Sequence, residues 1–185
     1  METQKWTTAL DEITAQVRGN YGALSSGKLN WKPNAQTWSI AQNIDHLIVI
    51  NNTYFPILDS VRNKTYKLPW PGRIGFLVRF FGDFILKSVQ PENARKIKTF
   101  PIWEPSQSTI EADVLDRFEK HQTELKLKIQ GSSDLLDVGA VISSPAKPNI
   151  VYRLDAAFDI IVAHERRHLK QAKNILAQQS LTVSP

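Results

Sequence analysis

The chain has 185 residues, enough for one domain with its own core, and its 42% hydrophobic and 22% charged fractions are ordinary for a globular protein. It contains no cysteine, which excludes disulfides, cysteine metal ligands and a cysteine nucleophile, so thiol chemistry would need a thiol from outside the chain. The net charge of +5 comes from scattered Lys and Arg, densest at Arg95-Lys96-Ile97-Lys98; this argues against nucleic acid as a partner and leaves attraction of an anionic substrate open.

Trp6, Leu10, Ile13, Val17, Tyr21 and Leu24 recur every three or four residues and predict an amphipathic helix over residues 3–24, with Gly27 in the loop that follows. Ser39-Ile40-Ala41-Gln42 reads as a capping box that starts a second helix. Its apolar stripe is Ile40, Ile44, Leu47, Tyr54 and Leu58, and Pro56, lacking a backbone donor, is expected to kink it. Residues 61–105 hold Pro69, Pro71, Pro91, Pro101 and Pro105. Between them GRIGFLVRFFGDFILKSV predicts a helical insertion that covers one end of the bundle or enters a subunit interface. A membrane-surface role fits it less well, because its polar face lacks a strong basic cluster. No apolar run is long enough to cross a bilayer and the N-terminus has no signal-peptide apolar region, so a cytoplasmic protein without a membrane partner is expected.

Ser108-Thr109-Ile110-Glu111 reads as a second capping box, followed by Val114, Phe118, His121, Leu125 and Ile129 on one helix face and ended at Gly131-Ser132-Ser133. Residues 132–152, with Pro145 and Pro148, read as a long connection. The last helix is expected from about Asp155 to Gln179, with Ala157, Ile161, His164, His168, Ala172 and Ile175 along one side. Four long helices without convincing alternating strands predict an all-α four-helix bundle, residues 1–185 forming a single domain.

The last helix carries the most specific signal, AHERRHLKQA. His164 and His168 are one turn apart, so both imidazoles can reach one metal ion. HERRH also fits the H-E-x-x-H pattern of zinc peptidases. A catalytic zinc site usually takes three protein ligands, yet LKQAKNILAQQSLTVSP after His168 holds no His, Asp or Glu. The peptidase reading is rejected on that ground. Glu165-Arg166-Arg167-His168 is half of a carboxylate di-iron motif, but Asn43 and Phe118 stand where His46 and His121 would need a glutamate. A third ligand must come from upstream, and the candidates are His46 and His121.

NWKPNAQTWSIAQNIDHL, with its Trp-Ser helix start followed by a histidine and Leu, resembles the N-terminal half of the DinB/YfiT-like family. AHERRHLKQA resembles that family's closing H-x-x-x-H-x-x-Q helix, and the two matches stand in the right order. The resemblance implies an up-down-down-up four-helix bundle, often a homodimer, with a metal held by His46, His164 and His168. Imidazole donors suit zinc or nickel. Members include S-transferases and isomerases that use bacillithiol, mycothiol or glutathione, and proteins described as metal-dependent hydrolases. The expected function is therefore a metal-dependent enzyme for a small-molecule substrate, with an external low-molecular-weight thiol as a candidate second cofactor. The alternative is a non-catalytic module that binds a metal or small ligand.

Each site residue also has a plainer reading. The three histidines could be hydrogen-bonded core residues. His121 is a fourth ligand or acid/base group, or else a buried packing residue. Glu165 is a surface charge or a partner that fixes a histidine tautomer, and the latter ranks first. Gln171 is expected to hydrogen-bond near the ligands. Arg167 is an ion-pair partner, an anion contact or a surface charge. Trp31 and Trp38 are expected to pack, and Asn43, one turn before His46, is able to face the site.

Overall fold

The computed structural model describes residues 3–93 and 99–182, so the basic run Arg95-Lys96-Ile97-Lys98 lies outside the described residues. In chain order the helices are α1 (Gln4–Tyr21), α2 (Ser26–Asn30), α3 (Ile40–Asn52), α4 (Phe55–Arg62), α5 (Gly75–Val89), α6 (Val114–Gln130), α7 (Ser133–Asp137) and α8 (Leu154–Thr182). Two strands, β1 (Val141–Ser144) and β2 (Lys147–Arg153), stand immediately before α8. None of the described helices is long and apolar enough to cross a membrane.

α1, α3, α6 and α8 form the bundle, and named contacts fix their directions. α1 opposes α6, since Arg18 meets Glu119 at 2.6 Å while Asp11 meets Lys126. α3 opposes α8, with Asn43 on His168 at 2.8 Å and Asn51 on Glu165 at 2.7 Å. α1 runs with α8, since Trp6 Nε1 donates to Asp159 at 2.7 Å and Lys173 to Gln16 at 2.9 Å. α3 and its continuation α4 run with α6: Arg117 donates to Asp45 at 3.1 Å and Lys128 to Asp59 at 2.5 Å. The order of directions is thus up, down, down, up, an all-α bundle.

The predicted apolar stripes make the core. Trp6, Leu10, Ile13, Val17 and Tyr21 from α1 meet Ile40, Ile44 and Leu47 from α3, Phe118, Leu125 and Ile129 from α6, and Ala157, Ile161, Ala172 and Ile175 from α8. Burying a large aliphatic or aromatic side chain contributes about 1.5–3 kcal/mol, so these residues, not the exposed ion pairs, hold the bundle together.

Four boundaries differ from the sequence reading. The first helix ends at Tyr21, not Leu24, and Ser25 caps the separate short α2, which contains Gly27. The kink expected at Pro56 is a break at Thr53-Tyr54, after which Pro56 sits in the first turn of α4, where its missing N–H costs nothing. Ser108-Thr109-Ile110-Glu111 is not a helix cap, since α6 starts at Val114. The side chain of Asn30 holds Ile110 instead, accepting from its N–H at 2.8 Å and donating to its C=O at 2.8 Å, which keeps that backbone out of a helix. Finally, residues 132–152 are not an unstructured connection. They contain α7 and an antiparallel hairpin pairing Val141 with Arg153, Ile142 with Tyr152 and Ser143 with Val151. Only Ile142, Val151 and Tyr152 plug into the core, too few positions to show a period of two in the sequence.

The insertion lies along the hairpin and α8. Gly82 lets α5 approach closely, because a Cβ there would stand 3.4 Å from the Cβ atoms of both Tyr152 and Ala156. Arg167 of α8 donates to the carbonyls of Ser88 and Gln90 at 3.1 and 3.3 Å, tying down the C-terminal end of α5.

Candidate metal centre

His46 is placed by the start of its helix. Ser39 accepts from the backbone N–H of Gln42 at 3.1 Å while the Gln42 side chain accepts from Ser39 N–H at 3.1 Å, the predicted capping box. His46 then points from the buried side of α3 toward α8. His164 and His168 come up from α8 one turn apart. One nitrogen from each of the three rings lies within 4.8 Å of the others. His46 and His168 are buried and His164 is half-buried, so the cluster opens on the His164 side.

Hydrogen bonds on the far ring nitrogens set two of the tautomers. His168 Nδ1 donates to Asn43 Oδ1 at 2.8 Å, and the Asn43 amide is oriented by its own Nδ2 donating to Ser39 C=O at 2.8 Å. His46 Nδ1 donates to the main-chain carbonyl of Trp103. Both Nε2 atoms are therefore left as lone pairs facing the cluster. His46 Nε2 is fully buried and has no hydrogen-bond partner, so its lone pair is free for a ligand in the cluster. His168 Nε2 and His164 Nε2 are 3.1 Å apart. Two nitrogens each about 2.0–2.1 Å from one zinc ion at a tetrahedral angle would be separated by roughly 3.3–3.4 Å, close to this spacing. The donor set is thus compatible with a divalent metal ion.

The electrostatics point the same way. Burial pushes His46 down to about 4, against weaker raising effects from the Trp103 carbonyl and Asp45. His164 and His168 are held well below the usual histidine range, first by burial and then by the other histidines and Arg167. All three imidazoles are neutral at physiological pH, the protonation state in which they donate to metals.

Trp38 frames the cluster, its ring centroid 4.9 Å from that of His46 and 5.9 Å from that of His168. A strap at the end of the insertion, residues 101–107, closes the α3 side. Asp45, beside His46, accepts from Ser106 N–H and Oγ–H at 2.8 Å each and from Arg117. Trp103 Nε1 donates to Thr53 Oγ1 at 3.2 Å, which fixes the carbonyl that orients His46. The sequence carries no signal for that carbonyl, because any residue type could supply it.

The other candidates fall elsewhere. Glu165 is neither a surface charge nor a partner of the histidines. It is fully buried, accepting from Asn51 Nδ2 and Gln122 Nε2 at 2.7 Å each, and burial raises its carboxyl to about 7 against those two hydrogen bonds. One residue along the helix from His164, it turns into the bundle interior toward α3 and α6. Gln171 is half-buried and makes no hydrogen bond to the histidines. His121 is not part of the cluster; it stacks on Phe55 with centroids 5.4 Å apart, its Nε2 buried without a partner.

No match was found among curated proteins or solved structures. The family comparison gives one result, a match to the DinB superfamily over residues 9–172, which takes in all three histidines and the bundle from the second turn of α1 into α8 as far as Ala172. The chain belongs to the DinB superfamily.

Proposed function

We propose that the chain is a metal-dependent enzyme of the thiol S-transferase or hydrolase type, with zinc or nickel held by His46, His164 and His168. The observation that carries this reading is the buried, unpartnered Nε2 of His46 aimed at two more imidazoles. When bound, a divalent ion among neutral imidazoles keeps its full charge and makes a ligand water or thiol more acidic. The chain's own residues do the rest. Asn43 and the Trp103 carbonyl hold two rings in the metal-binding tautomer, and Trp38 and the strap keep water from the α3 side. His164, on the open side, is where a small-molecule substrate or thiol would approach. No cysteine competes for the site, so a thiol nucleophile would be an external low-molecular-weight one.

The test is metal analysis of protein purified without a histidine tag, followed by turnover assays with a panel of small thiols plus an electrophile, and with esters. About one divalent ion per chain, and turnover that disappears with the metal, are the expected results. Metal-replete protein inactive toward every thiol and ester would favour a non-catalytic binding module.

A further inference from the structure

α5 turns Val78 and Gly82 inward, Gly82 against Tyr152 and Ala156. At about 100° per residue, Phe76, Arg79, Phe80, Asp83, Phe84 and Lys87 fall within an arc of about 140° on the opposite side, and all six are exposed. Phe76, Phe80 and Phe84 are exposed by 72%, 58% and 59%, and Trp70, in the 3-10 turn Trp70–Arg73 that leads into α5, by 68%. Arg73, the last residue of that turn, is exposed as well. Arg73, Arg79, Asp83 and Lys87 form no ion pair among the described residues. This surface is therefore aromatic and cationic at once. An isolated helix of this sequence lacks a basic polar face opposite its apolar one, which is why lipid fits the residues poorly when they are read alone. The fold removes that objection: the side packed on the hairpin and α8 is unavailable, and the cations stand among the outward phenylalanines.

We propose that α5 lies flat on an anionic lipid surface, with Phe76, Phe80 and Phe84 at the boundary between headgroups and acyl chains and with Arg73, Arg79 and Lys87 reaching the lipid phosphates. At 15 residues α5 is too short to cross a bilayer, and lying on one asks no such length. The rings gain by burial in the acyl boundary in proportion to the area they cover. The aliphatic stems of Arg and Lys lie along such a surface while their charged ends stay among the headgroups. An exposed tryptophan such as Trp70 is the side chain favoured at that depth. Charge selects this partner over a second copy of the chain. The surface carries three cations and one carboxylate, complementary to anionic headgroups, whereas two copies face to face would set the same excess of positive charge against itself. Asp83 is the one opposing charge, and Arg79 and Lys87 each stand four residues from it, near enough on the helix to offset it.

The test is co-sedimentation of the full chain with vesicles of phosphatidylcholine alone and of phosphatidylcholine mixed with phosphatidylglycerol, with circular dichroism to confirm that each variant is folded. The parent chain is expected to bind the mixed vesicles, to bind the neutral ones far more weakly, and to lose affinity as salt is added. Phe80→Glu should abolish binding and Phe80→Leu should keep it. Arg73→Gln and Lys87→Gln should each weaken binding about fivefold, the effect of one cation near an anionic surface, and Asp83→Asn should tighten it. No binding to the mixed vesicles, binding indifferent to Phe80→Glu, or equal binding to both kinds of vesicle would each overturn the proposal. So would a lipid-free dimer in sedimentation equilibrium that Phe80→Glu dissociates, which would assign the face to a second copy of the chain.

Discussion

Asn43 and Glu165 both sit next to the histidine cluster, but they serve different parts of the molecule. Asn43 accepts from His168 Nδ1 and so presents the Nε2 lone pair to the cluster. Removing such a partner typically costs ten- to a hundredfold in metal affinity. Asn43→Ala should weaken zinc binding by that order while leaving one site per chain, and calorimetric titration would read both quantities. Glu165→Gln should keep its metal, because the carboxylate touches Asn51 and Gln122 and no histidine. Its effect should be on stability. An amide in that place turns an NH2 toward one of two NH2 donors, and a mispaired buried group costs about 1–3 kcal/mol. Urea unfolding would measure this. If Glu165→Gln instead retained both metal and stability but abolished turnover of a peptide, the rejected peptidase reading would return.

His121 gives a prediction about pH. Burial lowers it from the usual 6.5 to about 4. Between those values the unfolded chain binds a proton that the folded chain refuses, so the folded state loses stability as pH falls from 6.5 toward 4. His121→Phe removes this penalty. With a chelator present to silence the metal site, its melting temperature relative to the parent should rise more at pH 5 than at pH 7.5. An equal difference at the two pH values would show that protonation of His121 plays no part.

Among the elements, α3 and the strap matter most to the site, because they share Asp45. That carboxylate ties Ser106 and Arg117 together while the next residue along α3, His46, is oriented by the strap's own carbonyl. Asp45→Ala should free the strap from α3. Hydrogen exchange read by mass spectrometry should then accelerate at residues 102–107, and metal affinity should fall with it. Faster exchange with unchanged affinity would mean that the Trp103 carbonyl does not help to hold His46. The strap exists because the insertion ends in a 3-10 turn at Pro101–Trp103, which turns a backbone carbonyl toward α3.

In the whole molecule, the cluster joins α3 to α8, helices that are opposed in the bundle and separated by more than a hundred residues of chain. An ion bound there binds the folded state, and a ligand at a hundredfold excess over its Kd stabilises by about 2.7 kcal/mol. Zinc should therefore raise the melting temperature of the parent chain in a concentration-dependent way. The shift should vanish in His46→Ala and in His168→Ala, which remove ligands from different helices. A zinc-dependent shift that survived either change would place the ion elsewhere.

The helices with long apolar stripes were readable from the residues, because a period of 3.6 survives in the sequence whatever the tertiary partners. The same local rule showed His164 and His168 on one face and Ser39 with Gln42 as a helix start. His46 could be named as the third member only from resemblance, since no periodicity links it to residues more than a hundred positions away. Tertiary packing decided the rest. It turned Glu165 inward, because residue 165 on α8 faces the seam between α3 and α6, where Asn51 and Gln122 wait. It converted an apparent capping box at Ser108 into a loop, where the side chain of Asn30 takes both hydrogen bonds of the Ile110 backbone. It made a hairpin of residues 141–153 from three core-facing side chains. It also brought the Trp103 carbonyl to His46, a contact that no side-chain pattern records because the backbone supplies it.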